Sequence, residues 1–421
     1  MVGADDVDRW RTASRGRQAA DCAQWITPDS GSLWYRSCMT SRQELPQLTG
    51  LRGIAALWVF LFHASVIAHD SGAHDLLGLI GGAGYLGVDV FFVLSGFVLA
   101  LNYGSDRLHR SPPGWLAFLW KRLARIYPIH LATLALLPVG VLALAALDVP
   151  FYRLGLFTVD GLIRSLTLTH AWSMPIAGTW NFVSWSISSE WVAYLAFPLI
   201  AAMAFRLRSP ATILAAVAAL LIGLFLVIYF APRSQLLSYA MARIAIEFPA
   251  GVLLCRLWKL GGAVRSVRWD IISCSTLVVL VAGSNIGAAV FGRQLPLLVA
   301  PLLACVLVYG LARSDGYLTR TLSSRGWLHA GVVSYAFYMV HGIVFTCTKS
   351  ILLDRGLTTD TPSMFLAVVT TFVSTAAIAH WMHTRIEQPA RESMIGWLAR
   401  LPGGHMPCGR QPATQQPARA P

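Results

Sequence analysis

The sequence predicts an all-α protein, a polytopic transmembrane helix bundle of about ten spans with N- and C-terminus cytoplasmic. Three observations predict it. Only 13% of the 421 residues are charged, 56% are hydrophobic, and mean hydropathy is +0.58. A soluble domain carries about a quarter charged residues. Ten apolar segments lie near residues 54–69, 84–101, 129–147, 185–205, 211–231, 241–258, 270–291, 295–312, 330–352 and 363–383, and a helix needs about 20 apolar residues to cross a bilayer. With the N-terminus inside, the inner loops hold fourteen Lys and Arg residues, Lys121, Arg122, Arg125 and Arg325 among them, and the outer loops seven, including Arg243. That asymmetry sets orientation and favours an even number of spans.

The same loops account for the net charge of +13. No basic stripe interleaved with exposed aromatics lies outside the spans, so no nucleic-acid partner is expected. The seven cysteines form no C-x-x-C pair, and neither a disulfide framework nor a zinc site is implied. The remaining histidines show no metal spacing, and no metal is expected.

Residues 1–46 are a polar leader without the apolar core of a cleavable signal peptide. Met39 opens a shorter leader and is the expected start, which makes 1–38 a mis-assigned stretch; the other reading is a cytoplasmic tail. The transmembrane domain is expected over 47–392. Residues 393–421 are expected to form a disordered cytoplasmic tail, Pro-, Gln- and Ala-rich from 402.

The first span carries Arg52 and His63, eleven residues apart. At about 100° per residue they share one helix face, separated by about 16 Å along the axis. If Arg52 marks the inner interface, His63 lies near mid-membrane, where an ionisable group is costly unless it meets a polar partner. Imidazole there can accept a hydroxyl proton near neutral pH. The bland alternative is a neutral packing histidine.

Before the second span, Gly82-Ala83-Gly84-Tyr85-Leu86-Gly87 satisfies G-x-G-x-x-G. It lacks a preceding strand, so close helix packing or a tight turn explains it better than a dinucleotide site. Asp89 lies in the outer part of this span and needs a partner. It either orients an imidazole or forms a structural salt bridge. Next, Lys121-Arg122-Leu123-Ala124-Arg125-Ile126-Tyr127-Pro128 is read as a basic inner loop. Arg122 and Arg125 are neighbours on a helix, and guanidinium forks suit phosphate oxygens.

In the fourth span Ser186, Glu190 and Tyr194 recur every four residues and form one polar stripe. Ser188 points elsewhere in a regular helix, which implies an irregular start. In the ninth, Ser334, Tyr338 and His341 share a face at i, i+4 and i+7. His63 and His341 can therefore lie at similar depth, but spacing does not establish that they meet. Glu387, after the tenth span, reads as a structural partner for an inner Arg.

Taken together, Arg52 with ten residues before His63, Val88-Asp89-x-Phe91-Phe92, Phe92-x-Leu94-Ser95-Gly96-Phe97, Arg122-x-x-Arg125-Ile126-x-Pro128, Ser186-x-Ser188-x-Glu190, Ser334-Tyr335-x-x-Tyr338-x-x-His341 and Glu387-x-Pro389 resemble acyltransferase family three, to about residue 392. This family of membrane O-acyltransferases acetylates bacterial polysaccharides and lipopolysaccharides. The resemblance implies a multi-pass protein of the bacterial inner membrane. It implies transfer of an acyl group, acetyl first, from cytoplasmic acyl-CoA to a hydroxyl of a cell-envelope or exported glycan or glycolipid. Acetyl-CoA or another acyl-CoA is then a donor substrate, and no permanently bound cofactor is expected. His63, Arg52, Asp89, Glu190 and His341 become catalytic candidates. Arg122 and Arg125 become donor-phosphate ligands, and Ser186, Ser188, Tyr194 and Tyr338 acceptor contacts. A separate extracytoplasmic acyltransfer partner is an open possibility. The rival reading is a transporter or polysaccharide-export component, since intramembrane His, Asp and Glu also build proton pathways; the absence of a visible paired repeat with broken helices argues against it.

Overall fold

The computed structural model describes residues 45–400 apart from 71–74, 105–111, 153–154, 156, 174–179, 231–235, 263, 292–293 and 357–360. Met39, the leader before residue 45 and the tail after residue 400 lie outside the described residues. Within those described, every regular element is helical and no strand occurs.

Ten long helices follow in chain order: α1 Pro46–Asp70, α2 Gly87–Tyr103, α3 Pro112–Ala145, α4 Trp185–Arg206, α5 Pro210–Phe230, α6 Leu236–Leu260, α7 Val267–Val278 with its continuation Ser284–Phe291, α8 Gln294–Arg313, α9 Arg325–Asp354 and α10 Thr361–Met382. Among the described residues nine helical spans are long and apolar enough to cross a membrane. The sixth expected segment is also a helix, α6, 25 residues long. It stands outside that set and carries Arg243, Glu247, Arg256 and Lys259 within its length. Large apolar side chains such as Leu142, Phe230 and Phe365 point outward and stay exposed, as a bundle solvated by lipid requires.

Three expectations about the chain path are corrected. The basic stretch 121–128 is not a loop. It lies inside α3, which runs unbroken for 34 residues through Pro128 and Pro138. The last helix does not stop near residue 383. It passes through a π-helical turn, His383–Glu387, and continues as Gln388–Arg400, so the first eight residues of the expected tail are helical. Arg243 is not in an outer loop; it is buried within α6.

Glycines let the central helices approach closely. A Cβ on Gly96 of α2 would collide with the Phe248 carbonyl of α6, and one on Gly251 of α6 would collide with the Val93 carbonyl of α2. The crossing therefore needs glycine on both sides. Gly331 of α9 meets the Thr49 backbone of α1 in the same way. The G-x-G-x-x-G stretch proves to be packing: Gly84 faces the Trp58 carbonyl, and a Cβ on Gly87 would lie 2.8 Å from the Ala55 carbonyl oxygen. These crossings bring the polar faces of α1, α2, α3, α4 and α9 together in the interior.

Candidate active site

The interior faces enclose a cavity of about 100 Å3. α1 contributes Arg52, α2 Ser95, α3 Arg122 and Arg125, α4 Ser186, Glu190 and Tyr194, and α9 Ser334 and Tyr338. Apolar walls come from Val88, Phe91, Phe92 and Leu94 of α2. The i, i+4 stripe read in the fourth span thus faces the Arg-x-x-Arg pair of the third. The regular start of α4 at Trp185, after a 3₁₀ turn at Phe182–Ser184, sets that register.

The three guanidinium groups are held differently. Arg125 is ion-paired with the fully buried Glu387. Glu387 is in turn held by His383, whose Nδ1 lies 2.8 Å from Glu387 Oε2, and Gln388 Nε2 lies 2.9 Å from His383 Nε2. The π-helical turn puts His383 and Glu387 within reach of one another. Glu387 is therefore the structural partner the sequence predicts. Arg122 donates to the Tyr103 hydroxyl at 3.2 Å, and its guanidinium lies 5.3 Å from the Tyr103 ring centroid. Its Nε, like that of Arg52, is buried without a hydrogen-bond partner. On the opposite wall Ser95 donates a hydrogen bond to Glu190.

Tyr338 closes one end of this chamber. Its hydroxyl accepts from Ser186 Oγ at 2.9 Å and donates to the Val183 carbonyl at 3.0 Å. One turn further along α9 is His341, its ring centroid 5.3 Å from that of Tyr338. The His341 ring meets His63 of α1 at 5.1 Å. His341 is 1% exposed. Its Nδ1 faces the Tyr338 carbonyl, which can only accept, so Nδ1 carries the proton. In the neutral ring the lone pair then sits on Nε2, which is buried and has no hydrogen-bond partner. This is the protonation state that a general base needs. His63 is half-buried and also packs edge-on against Phe182 at 5.3 Å.

Two expected site residues lie apart. Asp89 is fully buried and paired with Arg243 through two hydrogen bonds, 3.1 Å from Nε and 2.6 Å from Nη2. Of its two sequence readings, the structure matches the salt bridge and not the imidazole partner. Ser188 faces away from the cavity; its hydroxyl donates to the Leu168 carbonyl at 2.7 Å and accepts from the Ala171 amide at 3.0 Å. It pins the segment before α4. Sequence reasoning missed Arg243 and Glu247, a second carboxylate 3.7 Å from Arg243 and fully buried. Their i, i+4 spacing inside an apolar segment was the available signal. Ser95 was also passed over, although it stands within Phe92-x-Leu94-Ser95-Gly96-Phe97. Among the described residues no group of three or more His, Cys, Asp or Glu could hold a metal ion.

A helical bundle with a basic, carboxylate-bearing interior chamber and two adjoining imidazoles defines a membrane protein built for intramembrane chemistry. The family described as "Acyltransferase domain" matches residues 45–381, and the chain belongs to that family. It is 38% identical to "Acyltransferase MdmB" of Streptomyces mycarofaciens over 160 residues, 37% of this chain and 39% of that protein. It is 30% identical to "Exopolysaccharide production protein ExoZ" of Rhizobium meliloti (strain 1021) over 329 residues, 75% of this chain and 91% of that one. It is 36% identical to "Putative membrane-bound transacylase BcsY" of Komagataeibacter xylinus over 95 residues, 23% of this chain and 20% of that protein. No solved structure matches.

Proposed function

We propose that the protein is an inner-membrane O-acyltransferase that moves an acyl group, acetyl first, from cytoplasmic acyl-CoA to a hydroxyl of an envelope or exported glycan. The observation that carries this reading is the His63–His341 pair beside an arginine-lined chamber. Names among the relatives, an acyltransferase and an exopolysaccharide production protein, support the same class of reaction.

The residues divide the work. Arg52 and Arg122 offer unpaired guanidinium N–H groups to anionic oxygens of the donor. Arg125 serves the same end with its charge already balanced by Glu387. His341 Nε2, steadied through Nδ1, takes the proton of the acceptor hydroxyl, and His63 sits against it to share or pass that proton. The hydroxyl oxygen attacks the thioester carbonyl, a C–O bond forms, the C–S bond breaks, and the departing thiolate ends with the proton. Glu190, Tyr194, Ser186 and Tyr338 line the chamber together with the arginines.

The test is donor dependence. Membranes carrying the protein are supplied with acetyl-CoA labelled in the acetyl group, and base-labile label on envelope glycans is counted. Label above that of protein-free membranes is expected. Glycan movement without consumption of acetyl-CoA would refute the reading and favour export.

A further inference from the structure

A second, smaller cavity of about 10 Å3 lies near the imidazole pair: its lining includes Gly342, next to His341 in the chain, and Phe182, which packs against His63. Along α9 the large chamber is lined by Ser334 and Tyr338, whereas the small cavity is lined by Gly342 and Thr346. In the order of residues along α9, His341 falls between these two sets. Phe182 forms part of the small cavity's wall and packs against His63, centroid to centroid 5.3 Å. Phe151, Phe157 and Trp180 complete an aromatic lining, with ring centroids 5.6 and 5.5 Å apart in succession.

One polar group in this lining is unsatisfied. Asn181 is 1% exposed, and its Nδ2 donates to the Met339 carbonyl at 3.0 Å. Since a carbonyl only accepts, that bond fixes the orientation of the amide. Its Oδ1 is left buried with no hydrogen-bond partner. A buried amide oxygen without a donor is costly. The cavity it lines has room for about one hydroxyl or one water.

We infer that this cavity is the acceptor subsite, and that Asn181 Oδ1 accepts a hydrogen bond from one hydroxyl of a sugar ring whose apolar face rests on Trp180 and Phe157. This rests on the acyltransferase reading and deepens it. Arginines line the large chamber. Aromatic rings and a single amide acceptor line the small cavity, which suits a neutral, hydroxyl-bearing ring with apolar C–H faces. The small volume admits one hydroxyl and leaves the ring at the rim, where Trp180 is half-buried. The subsite adds no chemical step. It fixes one hydroxyl so that a neighbouring hydroxyl is presented to the imidazoles.

The experiment compares wild type with Asn181→Ser and Trp180→Ala in membranes at equal abundance, using acetyl-CoA as donor. The acceptors are methyl pyranosides, each paired with its monodeoxy analogues. Wild type should prefer one intact pyranoside over a particular deoxy analogue by about tenfold in kcat/KM, the size of one hydrogen bond. Asn181→Ser should lower that preference to less than twofold. Trp180→Ala should raise KM for both members of the pair and leave their ratio alone. Acetyl-CoA KM should not move in either variant. If Asn181→Ser keeps the wild-type preference, the inference is overturned, including where the variant only loses thermal stability, as it would if the cavity held a structural water. Acetylation of envelope glycans but of no pyranoside would overturn the subsite and spare the acyltransferase reading. Acetylation of neither would overturn both.

Discussion

The imidazoles of His63 and His341 lie 5.1 Å apart, centroid to centroid, although they come from α1 and α9 at opposite ends of the chain. Gly331 against the Thr49 backbone and Gly53 against Ala330 bring these two helices close enough for the rings to meet. The ring contact on which the proposed chemistry rests depends on small residues several turns away. Replacing Gly331 with Ala places a Cβ on the Thr49 carbonyl, so kcat should drop at least tenfold even in protein that still inserts. Measuring kcat per inserted molecule, alongside abundance, separates this from simple loss of protein.

Arg122 is expected to hold the donor through its phosphates. Arg122→Ala should raise acyl-CoA KM about tenfold, while the KM for a donor truncated to acyl-pantetheine stays put. Equal rises for both donors would show that Arg122 supports the helix and does not read phosphate.

Glu387 is fully buried against a partly exposed Arg125, and removing the carboxylate leaves the guanidinium without its partner. Glu387→Ala should cost about 1–3 kcal/mol of stability, seen as low membrane abundance. The swap Arg125→Glu with Glu387→Arg should recover part of that abundance. A swap no better than the single change would mean that His383 and Gln388, rather than charge pairing, set the geometry.

Asp89 is placed to hold Arg243, not an imidazole. Asp89→Asn should therefore lower thermal stability sharply yet leave the pH profile of kcat in the surviving enzyme unchanged. A displaced pH profile would return Asp89 to the proton pathway.

His170, in the segment before α4, is buried, and burial together with neighbouring His130 pushes its imidazole from an ordinary 6.5 down to about 4. Its Nε2 lies 2.9 Å from Ser184 Oγ. Between pH 6.5 and 4 the unfolded chain binds more protons than the folded one, so stability is full above about 6.5 and falls as pH drops through that window. The loss should approach about 3 kcal/mol below pH 4. Thermal inactivation of the detergent-purified protein at pH 7.5 and 5 reads it, and His170→Gln should flatten the difference.

Much of this was legible in the sequence because the membrane makes polar residues conspicuous. Arg52, Glu190, Tyr194, Tyr338 and His341 stood out as costly groups on shared helix faces, and the structure gathers them in or beside one cavity. Helical periodicity gave the face of each residue but not its rotation toward neighbours. Asp89 thus kept two readings until Arg243 was seen beside it. Ser188 followed the motif but lies on the other face of α4, occupied by backbone groups of residues 168 and 171. The extension of α3 through the basic stretch was hidden by its charges, which read as a loop, although Leu123, Ala124 and Ile126 keep an apolar face between them. The pairing of Asn181 with Met339 was hidden because a loop residue and a distant helix carbonyl share no sequence signal.

The most direct test of the central claim is a double-mutant cycle on the imidazole pair. Acetyl transfer from acetyl-CoA to envelope glycans is measured for wild type, His63→Ala, His341→Ala and the double variant at equal membrane abundance. Groups acting as one unit should each cost about 100-fold or more in kcat, with the double variant little worse than either single one. Undiminished transfer in either single variant, or losses that multiply in the double variant, would contradict the claim that the two rings act together.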